Sequence, residues 1–356
     1  MEISICIIVK DEKETLARCL ACAKKIADEI IVADTGSTDG SKEIAKSFTD
    51  KVYDFVWIDD FSAARNFAFS KASKDFLMWL DADDVLPEKS IEHLRLLKQS
   101  DHIEADIIYM PYNIAFDEDD NPTFSYYRER IVRRSANPVW IEPVHEVIDV
   151  KGRSIYLDSA VEHRKTKTNP SGRNLKIMEK QLANGKKLSP RLRFYYAREL
   201  MYNGNNEKAV IEFNGFLNDK SGWVENKICA CNDLSVCYEK LKNYENALSA
   251  AFKAFGYGRP RSKTLCRIGE LFLKSGRLSE AEYWYEAALN CRKEKNLGFD
   301  ESDYDGFIPS IQLCVIHDKL GNAEKAEHYN DIAGSFKPHS PAYLYNKQYF
   351  DKTKRG

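Results

Sequence analysis

The sequence predicts an α/β domain with a mostly parallel sheet, followed by an all-α domain of helical repeats. Three observations lead to this prediction: a length of 356 residues, a loss of β-rich runs in the second half, and a short phrase that recurs there. A chain of this length exceeds what one hydrophobic core usually serves, so two domains are expected. We place them at residues 1–170 and 171–356.

The composition narrows the class of protein. Hydrophobic residues make up 43% of the chain and charged residues 30%, as in ordinary globular proteins. A formal net charge of -2 gives no overall attraction to nucleic acid or to an anionic membrane, so we expect no nucleic acid partner. The nine cysteines are scattered, which indicates reduced core thiols, and the pair Cys19 and Cys22 has no second pair at zinc spacing. The first apolar run is too short for a signal peptide or a membrane span, so we expect a cytoplasmic location and no integral membrane segment.

Short β-rich runs alternate with helical stretches over roughly the first 165 residues, which is typical of parallel strands joined by crossover helices. Strands are predicted at 3–9, 29–33, 51–56, 76–80 and 107–111, and helices at 11–27, 41–48, 61–72 and 87–99. Residues 128–134 and 144–150 are predicted as antiparallel additions.

The second half carries a recurring phrase that ends in an alanine. The four alanines are Ala209, Ala247, Ala281 and Ala326, with spacings of 38, 34 and 45 residues. Tetratricopeptide repeats have a period of about 34 residues, so the phrase predicts imperfect repeats of this kind. An irregular helical bundle is the alternative.

An acidic cluster, Asp81-Ala82-Asp83-Asp84, directly follows the predicted strand at 76–80. Two carboxylates separated by one residue at a strand end can both face a hard divalent cation, which would also bind phosphate oxygens. Such a cation would neutralise the charge that develops on a departing diphosphate. The alternative is a solvated acidic turn that precedes a helix.

Two further groups are expected near this cluster. Asp34 ends the second strand at a Gly-containing turn, where a carboxylate could accept hydrogen bonds from a nucleobase or ribose. Arg65 lies on a helix that is otherwise filled with small or apolar residues. An arginine there requires an anion, which is either a carboxylate of a neighbouring turn or a diphosphate.

Four ordered motifs together carry a resemblance to a known family. They are Ile-Ile-Val-Lys-Asp-Glu, Val-Ala-Asp-Thr-Gly-Ser-Thr-Asp, Asp-Phe-Ser-Ala-Ala-Arg-Asn and Trp-Leu-Asp-Ala-Asp-Asp. In order and spacing the first 165 residues or so resemble family 2 glycosyltransferases, whose catalytic domain has the GT-A fold. The trailing repeats make the arrangement similar to the sublancin-type peptide S-glycosyltransferases.

The resemblance implies roles for individual residues. Asp34 would contact the base of a nucleotide sugar, a UDP-sugar by analogy, and Arg65 would lie near the base and phosphate. Asp81 would contact the ribose or the metal, and Asp83 would bind Mn²⁺ or Mg²⁺ through which the diphosphate is held. His163 would complete the metal shell. Family 2 enzymes are usually inverting, so a general base should deprotonate the acceptor.

The base has several candidates in the segment Trp140-Ile-Glu142-Pro-Val-His145-Glu146. The family often has Glu-Asp in this place, so Glu142, His145 and Glu146 all stay open. The pair His145 and Glu146 resembles the His-Glu of the sublancin-type group, and a short strand there would direct their side chains to opposite faces.

The acceptor is expected to be a peptide or protein side chain, held by the repeats. Two alternatives remain: the same chemistry on a lipid-linked or cell-surface glycan, and a non-catalytic repeat scaffold with a vestigial nucleotide-binding domain. A homodimer formed through the helices is a further hypothesis, which light scattering would test.

Overall fold

The computed structural model describes residues 1–100, 103–166, 172–293 and 297–353. The chain forms two compact units, Met1–Ile114 with Ser125–Lys187 and Ala115–Phe124 with Leu188–Gly356. The predicted boundary at residues 170 and 171 lies outside the described residues.

The first unit begins with alternating strands and helices, as the sequence predicts. They are β1 (Ile3–Val9), α1 (Leu16–Ala23), β2 (Glu29–Asp34), α2 (Ser41–Phe48), β3 (Val52–Asp54), α3 (Phe61–Ser70) and β4 (Phe76–Asp81). Strand β1 pairs in parallel with β2 and β4, and β2 pairs in parallel with β3. The expected α/β class with a mostly parallel sheet is confirmed.

Antiparallel and short strands extend this sheet. The elements are β5 (Asp84–Val85), α4 (Glu88–Lys98), β6 (Ile107–Phe116), β7 (Pro122–Arg133), β8 (Val139–Ile141), β9 (Val147–Asp149), β10 (Ser154–Tyr156), β11 (Val161–His163) and α5 (Arg173–Ala183). The strand order is β3-β2-β1-β4-β7-β6-β11-β5, with β10 on β6 and a separate β8-β9 hairpin. The strand predicted at 144–150 is wrong at its start, since β9 begins at Val147 and leaves His145 and Glu146 in the preceding loop.

The two faces of the sheet bury different side chains of the same strands. On β1, Ile5 and Ile7 belong to the core that includes Leu20 of α1, whereas Cys6 belongs to the opposite core with Trp79. This alternation follows from the two-residue period of a strand. Burying each such aliphatic side chain contributes roughly 1.5 to 3 kcal/mol, so both helical layers are held firmly to the sheet.

The second unit is built from antiparallel helix pairs, which confirms the predicted repeat domain. Its helices are α6 (Pro190–Tyr202), α7 (Asn206–Asn218), α8 (Val224–Lys240), α9 (Tyr244–Lys253), α10 (Ser262–Lys274), α11 (Leu278–Leu289), α12 (Phe307–Lys319), α13 (Ala323–Phe336) and α14 (Pro341–Thr353). No helix within the described ranges is long and apolar enough to cross a membrane.

The recurring phrase marks the turn and the second helix of each of the first four pairs. All four repeat alanines are completely buried: Ala209, Ala247, Ala281 and Ala326. A small side chain at this point lets the two helices of a pair approach closely. The longest spacing, 45 residues, contains the connection between α11 and α12, where Lys293 pairs with Asp300 at 3.0 Å and Asp305 at 2.8 Å.

Candidate active site

The candidate site lies at the carboxyl edge of the parallel strands. Strand β2 ends at Asp34 and β4 ends at Asp81, with β1 between them. Neighbouring strands are about 4.8 Å apart, so these two strand ends are separated by about 10 Å. Ligands of open α/β sheets bind at this edge.

Asp34 is anchored through only one of its two carboxylate oxygens. Its Oδ1 accepts hydrogen bonds from the main-chain N–H groups of Gly36 at 2.8 Å and Ser37 at 2.7 Å. Gly36 has a φ of 100°, which favours glycine, so the tight turn depends on this residue. The residue is 1% exposed, and its Oδ2 has no hydrogen-bond partner among the described residues. A buried acceptor of this kind is suited to an N–H donor of a ligand.

The acidic turn meets β11 and β6 around the imidazole of His163. Its Nδ1 lies 3.3 Å from Asp83 Oδ1 and 3.4 Å from Asp84 Oδ1. The hydroxyl of Tyr112 on β6 lies 3.0 Å from the same nitrogen and 3.2 Å from Asp81 Oδ2. His163 is therefore brought to the acidic cluster from a strand that lies far along the chain.

Asp84 is buried, and its side chain holds the acidic turn in place by hydrogen bonds. Its side chain is 0% exposed, and its Oδ2 accepts hydrogen bonds from the main-chain N–H of Asp81 at 2.9 Å and from Arg130 at 3.1 Å. Its Oδ1 accepts a hydrogen bond from the Tyr112 hydroxyl at 2.7 Å. Because these donors occupy both oxygens, Asp84 fixes the path of the turn, while Asp81 and Asp83 keep partly exposed side chains.

Burial and neighbouring charges shift several pKa values in the cluster. Burial would raise the pKa of Asp81, but the charges of Arg65 and His163 outweigh it and hold that pKa below its usual range. Burial raises the pKa of Asp84, and the charge of Asp81 adds to the effect. Burial would lower the pKa of His163, but hydrogen bonds and charges from Asp83 and Asp84 raise it to about 10.

Arg65 is bound by two carboxylates from different parts of the first unit. Its Nη2 donates to Asp81 Oδ1 at 2.7 Å, and its Nε donates to Glu146 Oε1 at 2.6 Å. Its side chain is 8% exposed and lies against the rings of Trp79 and Trp140, each 4.9 Å from the guanidinium carbon. Of the two anions considered for this arginine, the structure provides the carboxylates.

The candidate bases lie on the loop between β8 and β9. Glu142 and His145 both have left-handed backbone conformations, with φ of 72° and 52°. The loop is held by the main-chain oxygen of Pro143, which accepts a hydrogen bond from the Phe61 N–H at 2.8 Å. Strained non-glycine residues in a well-anchored loop are often functional, so both side chains stay candidates. Glu146 is engaged by Arg65.

The structure thus joins Arg65, Asp81 and Glu146 by direct hydrogen bonds, and it places Asp83 against His163. Sequence reasoning missed Tyr112 because it ended the fifth strand at Pro111, whereas β6 continues to Phe116. A proline removes one hydrogen bond but does not end a strand when its neighbours continue the pairing.

The donor set fits a divalent cation. One ligand atom from each of Asp81, Asp84 and His163 lies within 4.8 Å of the other two. Since Asp84 is already occupied by Arg130, Tyr112 and a main-chain N–H, we favour the more accessible carboxylates with His163 as the ligands. The two carboxylates suit Mn²⁺ and Mg²⁺.

The chain is thus an α/β protein with helical repeats: its sheet domain has a ligand edge lined by carboxylates, and the helices follow in sequence. The sequence profile described as "Glycosyl transferase family 2" matches residues 4–189, just over half of the chain. The chain therefore belongs to family 2 of the glycosyltransferases.

The chain is also similar to curated relatives, two of which are named as glycosyltransferases. A TPR repeat-containing protein of Synechococcus elongatus is 38% identical over 149 residues, 42% of this chain and 36% of the relative. The SPbeta prophage-derived glycosyltransferase SunS of Bacillus subtilis is 26% identical over 220 residues, 57% of this chain and 50% of the relative. A glycosyltransferase of Rickettsia typhi is 32% identical over 113 residues, 32% of this chain and 37% of the relative. The chain spans about a third to a half of the length of these relatives.

Proposed function

We propose that this chain is an inverting, metal-dependent glycosyltransferase that moves a sugar from a nucleotide sugar, a UDP-sugar by preference, to a peptide or protein side chain in the cytoplasm. The observation that carries the proposal is the contact between His163 and Asp83 beside Asp81, at the ligand edge of a family 2 domain.

The nucleotide would be recognised at the end of β2. The buried Oδ2 of Asp34, which lacks a hydrogen-bond partner among the described residues, supports this part of the proposal. A uracil ring offers an N–H donor to such an acceptor. The tight turn at Gly36 keeps the main chain close to Asp34, so the carboxylate is fixed before the ligand arrives.

Asp81, Asp83 and His163 would hold Mn²⁺ or Mg²⁺. When bound, the cation supplies positive charge to the diphosphate as it departs. Arg65 contributes a fixed positive charge beside Asp81, and this pair limits the rotation of the carboxylate. Burial of Arg65 strengthens the pair, since few water molecules screen it.

The acceptor would lose its proton to Glu142 or His145. Glu146 is assigned instead to Arg65, whose Nε donates a hydrogen bond to its Oε1 at 2.6 Å. Histidine is the side chain that most often serves as a general base, which favours His145. The helical repeats support a peptide or protein acceptor, because stacked helix pairs provide extended binding surfaces.

The test is release of nucleoside diphosphate from a panel of UDP- and GDP-sugars with Mn²⁺, Mg²⁺ or EDTA. We expect metal-dependent release from one donor by the wild type, and loss of that release in Asp83→Ala. The matched control is Asp50→Ala, which removes an exposed carboxylate in the turn before β3 and should release as the wild type does. Absence of donor binding and of release by the folded wild type would contradict the proposal.

A further inference from the structure

Trp79 lies directly beneath the acidic turn and contacts three arginines. It is two residues before Asp81 on β4 and is 2% exposed. The guanidinium carbons of Arg130, Arg128 and Arg65 lie 3.6, 4.8 and 4.9 Å from the centroid of its ring. Energetically significant cation–π pairs occur about once per 70 to 80 residues, so three on one ring form an unusual concentration.

The three arginines reach different acidic side chains from this ring. They donate hydrogen bonds as follows: Arg65 to Asp81 and Glu146, Arg128 to Glu129, and Arg130 to Asp84. The carboxylates offset the repulsion between the cations, but they lie in different places, so they give the three guanidiniums no common point of contact. A neutral, electron-rich ring shared by all three provides that common reference.

For Arg130, the ring of Trp79 takes the place of hydrogen-bond partners. Its side chain is 0% exposed, and its Nε and Nη2 are buried without a hydrogen-bond partner among the described residues. Only Nη1 donates, to Asp84 and to the main-chain oxygen of Trp79. The rest of the guanidinium lies against the rings of Trp79 and Tyr112, at 3.6 and 4.4 Å. Because buried N–H groups of a cation are costly without hydrogen bonds, we attribute part of the stabilisation of this guanidinium to the two rings.

We propose that Trp79 is a positioning residue: its indole fixes the three guanidiniums and, through them, the carboxylates Asp81, Asp84 and Glu146. The indole itself donates its Nε1 hydrogen to the main-chain oxygen of Glu129 at 2.7 Å, which fixes the ring. The importance of these carboxylates for catalysis rests on the proposed function. The placement of the arginines does not.

The first experiment observes the arginines directly. In the full chain labelled with ¹⁵N-arginine, ring currents should displace the Nε–H signals of Arg65, Arg128 and Arg130, which single arginine variants would assign. We expect Trp79→Leu to shift and broaden all three signals. The control is Phe76→Leu on the same strand, where the ring is 3% exposed and faces Arg133 at 4.6 Å. It should move the Arg133 signal alone. Unchanged signals of the three arginines in Trp79→Leu would overturn the proposal.

A second experiment measures Mn²⁺ binding by electron paramagnetic resonance. We expect Mn²⁺ affinity about tenfold lower in Trp79→Leu, a change of about 1.4 kcal/mol, because the loosened guanidiniums no longer hold the carboxylates in place. Trp79→Phe should retain part of the wild-type Mn²⁺ affinity, and Phe76→Leu should retain all of it.

If Trp79→Leu does not fold, Trp79→Phe decides alone, because the smaller ring cannot reach all three guanidiniums. Wild-type affinity and unchanged arginine signals in Trp79→Phe would then overturn the proposal. A wild type that binds no Mn²⁺ would contradict the proposed function, while the arginine signals would still decide the role of Trp79.

Discussion

The thiol of Cys19 donates a hydrogen bond to the main-chain oxygen of Asp81 across 3.2 Å. Cys22, one turn later on α1, accepts a hydrogen bond from the Leu86 N–H at 3.3 Å. The two thiols of the Cys-x-x-Cys pair thus hold both ends of the acidic turn. Burial raises the pKa of the Cys19 and Cys22 thiols, so both are protonated and poor nucleophiles.

We expect Cys19→Ala to loosen the acidic turn without unfolding the first unit. One weak hydrogen bond and one sulfur atom are lost, which costs about 1 kcal/mol. In the proposed enzyme, Mn²⁺ affinity should fall a few-fold because Asp81 gains freedom. Calorimetry with and without Mn²⁺ measures both effects. Cys237→Ala in the repeat domain, where the thiol is also completely buried, should reduce stability but leave Mn²⁺ affinity unchanged. An equal loss of affinity in both variants would refute this role of Cys19.

Asp83 and Asp84 are adjacent, but we expect substitution of Asp84 mainly to reduce stability and substitution of Asp83 mainly to remove Mn²⁺ binding. Asp84→Asn removes the charged partner of the buried Arg130 and should lower the free energy of unfolding by about 3 to 5 kcal/mol. Asp83→Asn removes one of the two acidic partners of His163 from a partly exposed position, so it should lower the free energy of unfolding by no more than about 1 kcal/mol. In the proposed enzyme it should nevertheless abolish Mn²⁺ binding.

Urea denaturation and Mn²⁺ titration of both variants separate the two roles. A stable Asp84→Asn variant that fails to bind Mn²⁺ would make Asp84 a metal ligand. An Asp83→Asn variant destabilised as strongly as Asp84→Asn would give Asp83 the structural role assigned here to Asp84.

These two aspartates also show which features of the site can be predicted from the sequence and which cannot. The strand followed by Asp81-Ala82-Asp83-Asp84 places a charged turn at the ligand edge, and the structure agrees. The pattern could not separate the four positions, because burial of Asp84 depends on Arg130 and Tyr112 from strands distant in the chain. Long-range partners of this kind leave no periodic signal in a single sequence.

The repeat domain was more predictable because its determinants are local. Each helix pair is specified within one repeat by a left-handed turn residue and by a buried alanine such as Ala247. The strand pairs β8-β9 and β5-β11 contain only two or three residues per strand, too few for an alternating pattern to appear. The position of Glu146 therefore became clear only from its hydrogen bond to Arg65.

Glu29 should make the protein sensitive to acid. Its carboxylate accepts hydrogen bonds from the Ser4 hydroxyl at 2.5 Å, from the Ser73 N–H at 2.8 Å, and from Lys51. Burial would raise the pKa of Glu29, but these donors outweigh it and lower the pKa to about 2. A lowered pKa in the folded state contributes stability that is complete above the unfolded pKa, about 4.3, and is lost as the pH falls towards 2.

Glu29→Gln should therefore lower the free energy of unfolding by about 1 to 3 kcal/mol at pH 7. The difference from the wild type should shrink as the pH falls from about 5 to 2, because protonation then removes the same interactions from the wild type. Urea midpoints at several pH values measure this. Glu43→Gln, an exposed change on α2, is the matched control and should show no such trend. A constant difference across the pH range would contradict the prediction.

Lys242 is the unusual member of the turns that join the helix pairs. Its φ is 58°, whereas Gly204, Gly276 and Gly321 occupy the equivalent places with φ between 75° and 79°. A left-handed conformation costs a residue with a side chain roughly 1 to 2 kcal/mol. Glycine loses about 0.5 to 1 kcal/mol more chain entropy on folding. Lys242→Gly should therefore raise the free energy of unfolding by about 0.5 kcal/mol.

The reverse change tests the same argument with the opposite sign. A Cβ at Gly276 would meet no atom within 4 Å among the neighbours considered, so Gly276→Lys should be destabilising by about 0.5 kcal/mol through backbone conformation alone. Lys208→Gly, at an exposed position inside α7, controls for the loss of a lysine and should also be destabilising, by about 1 kcal/mol. The sign of the Lys242→Gly effect in urea denaturation is decisive. If it matches that of Lys208→Gly, the lysine side chain stabilises the turn by contacts that exceed the conformational cost.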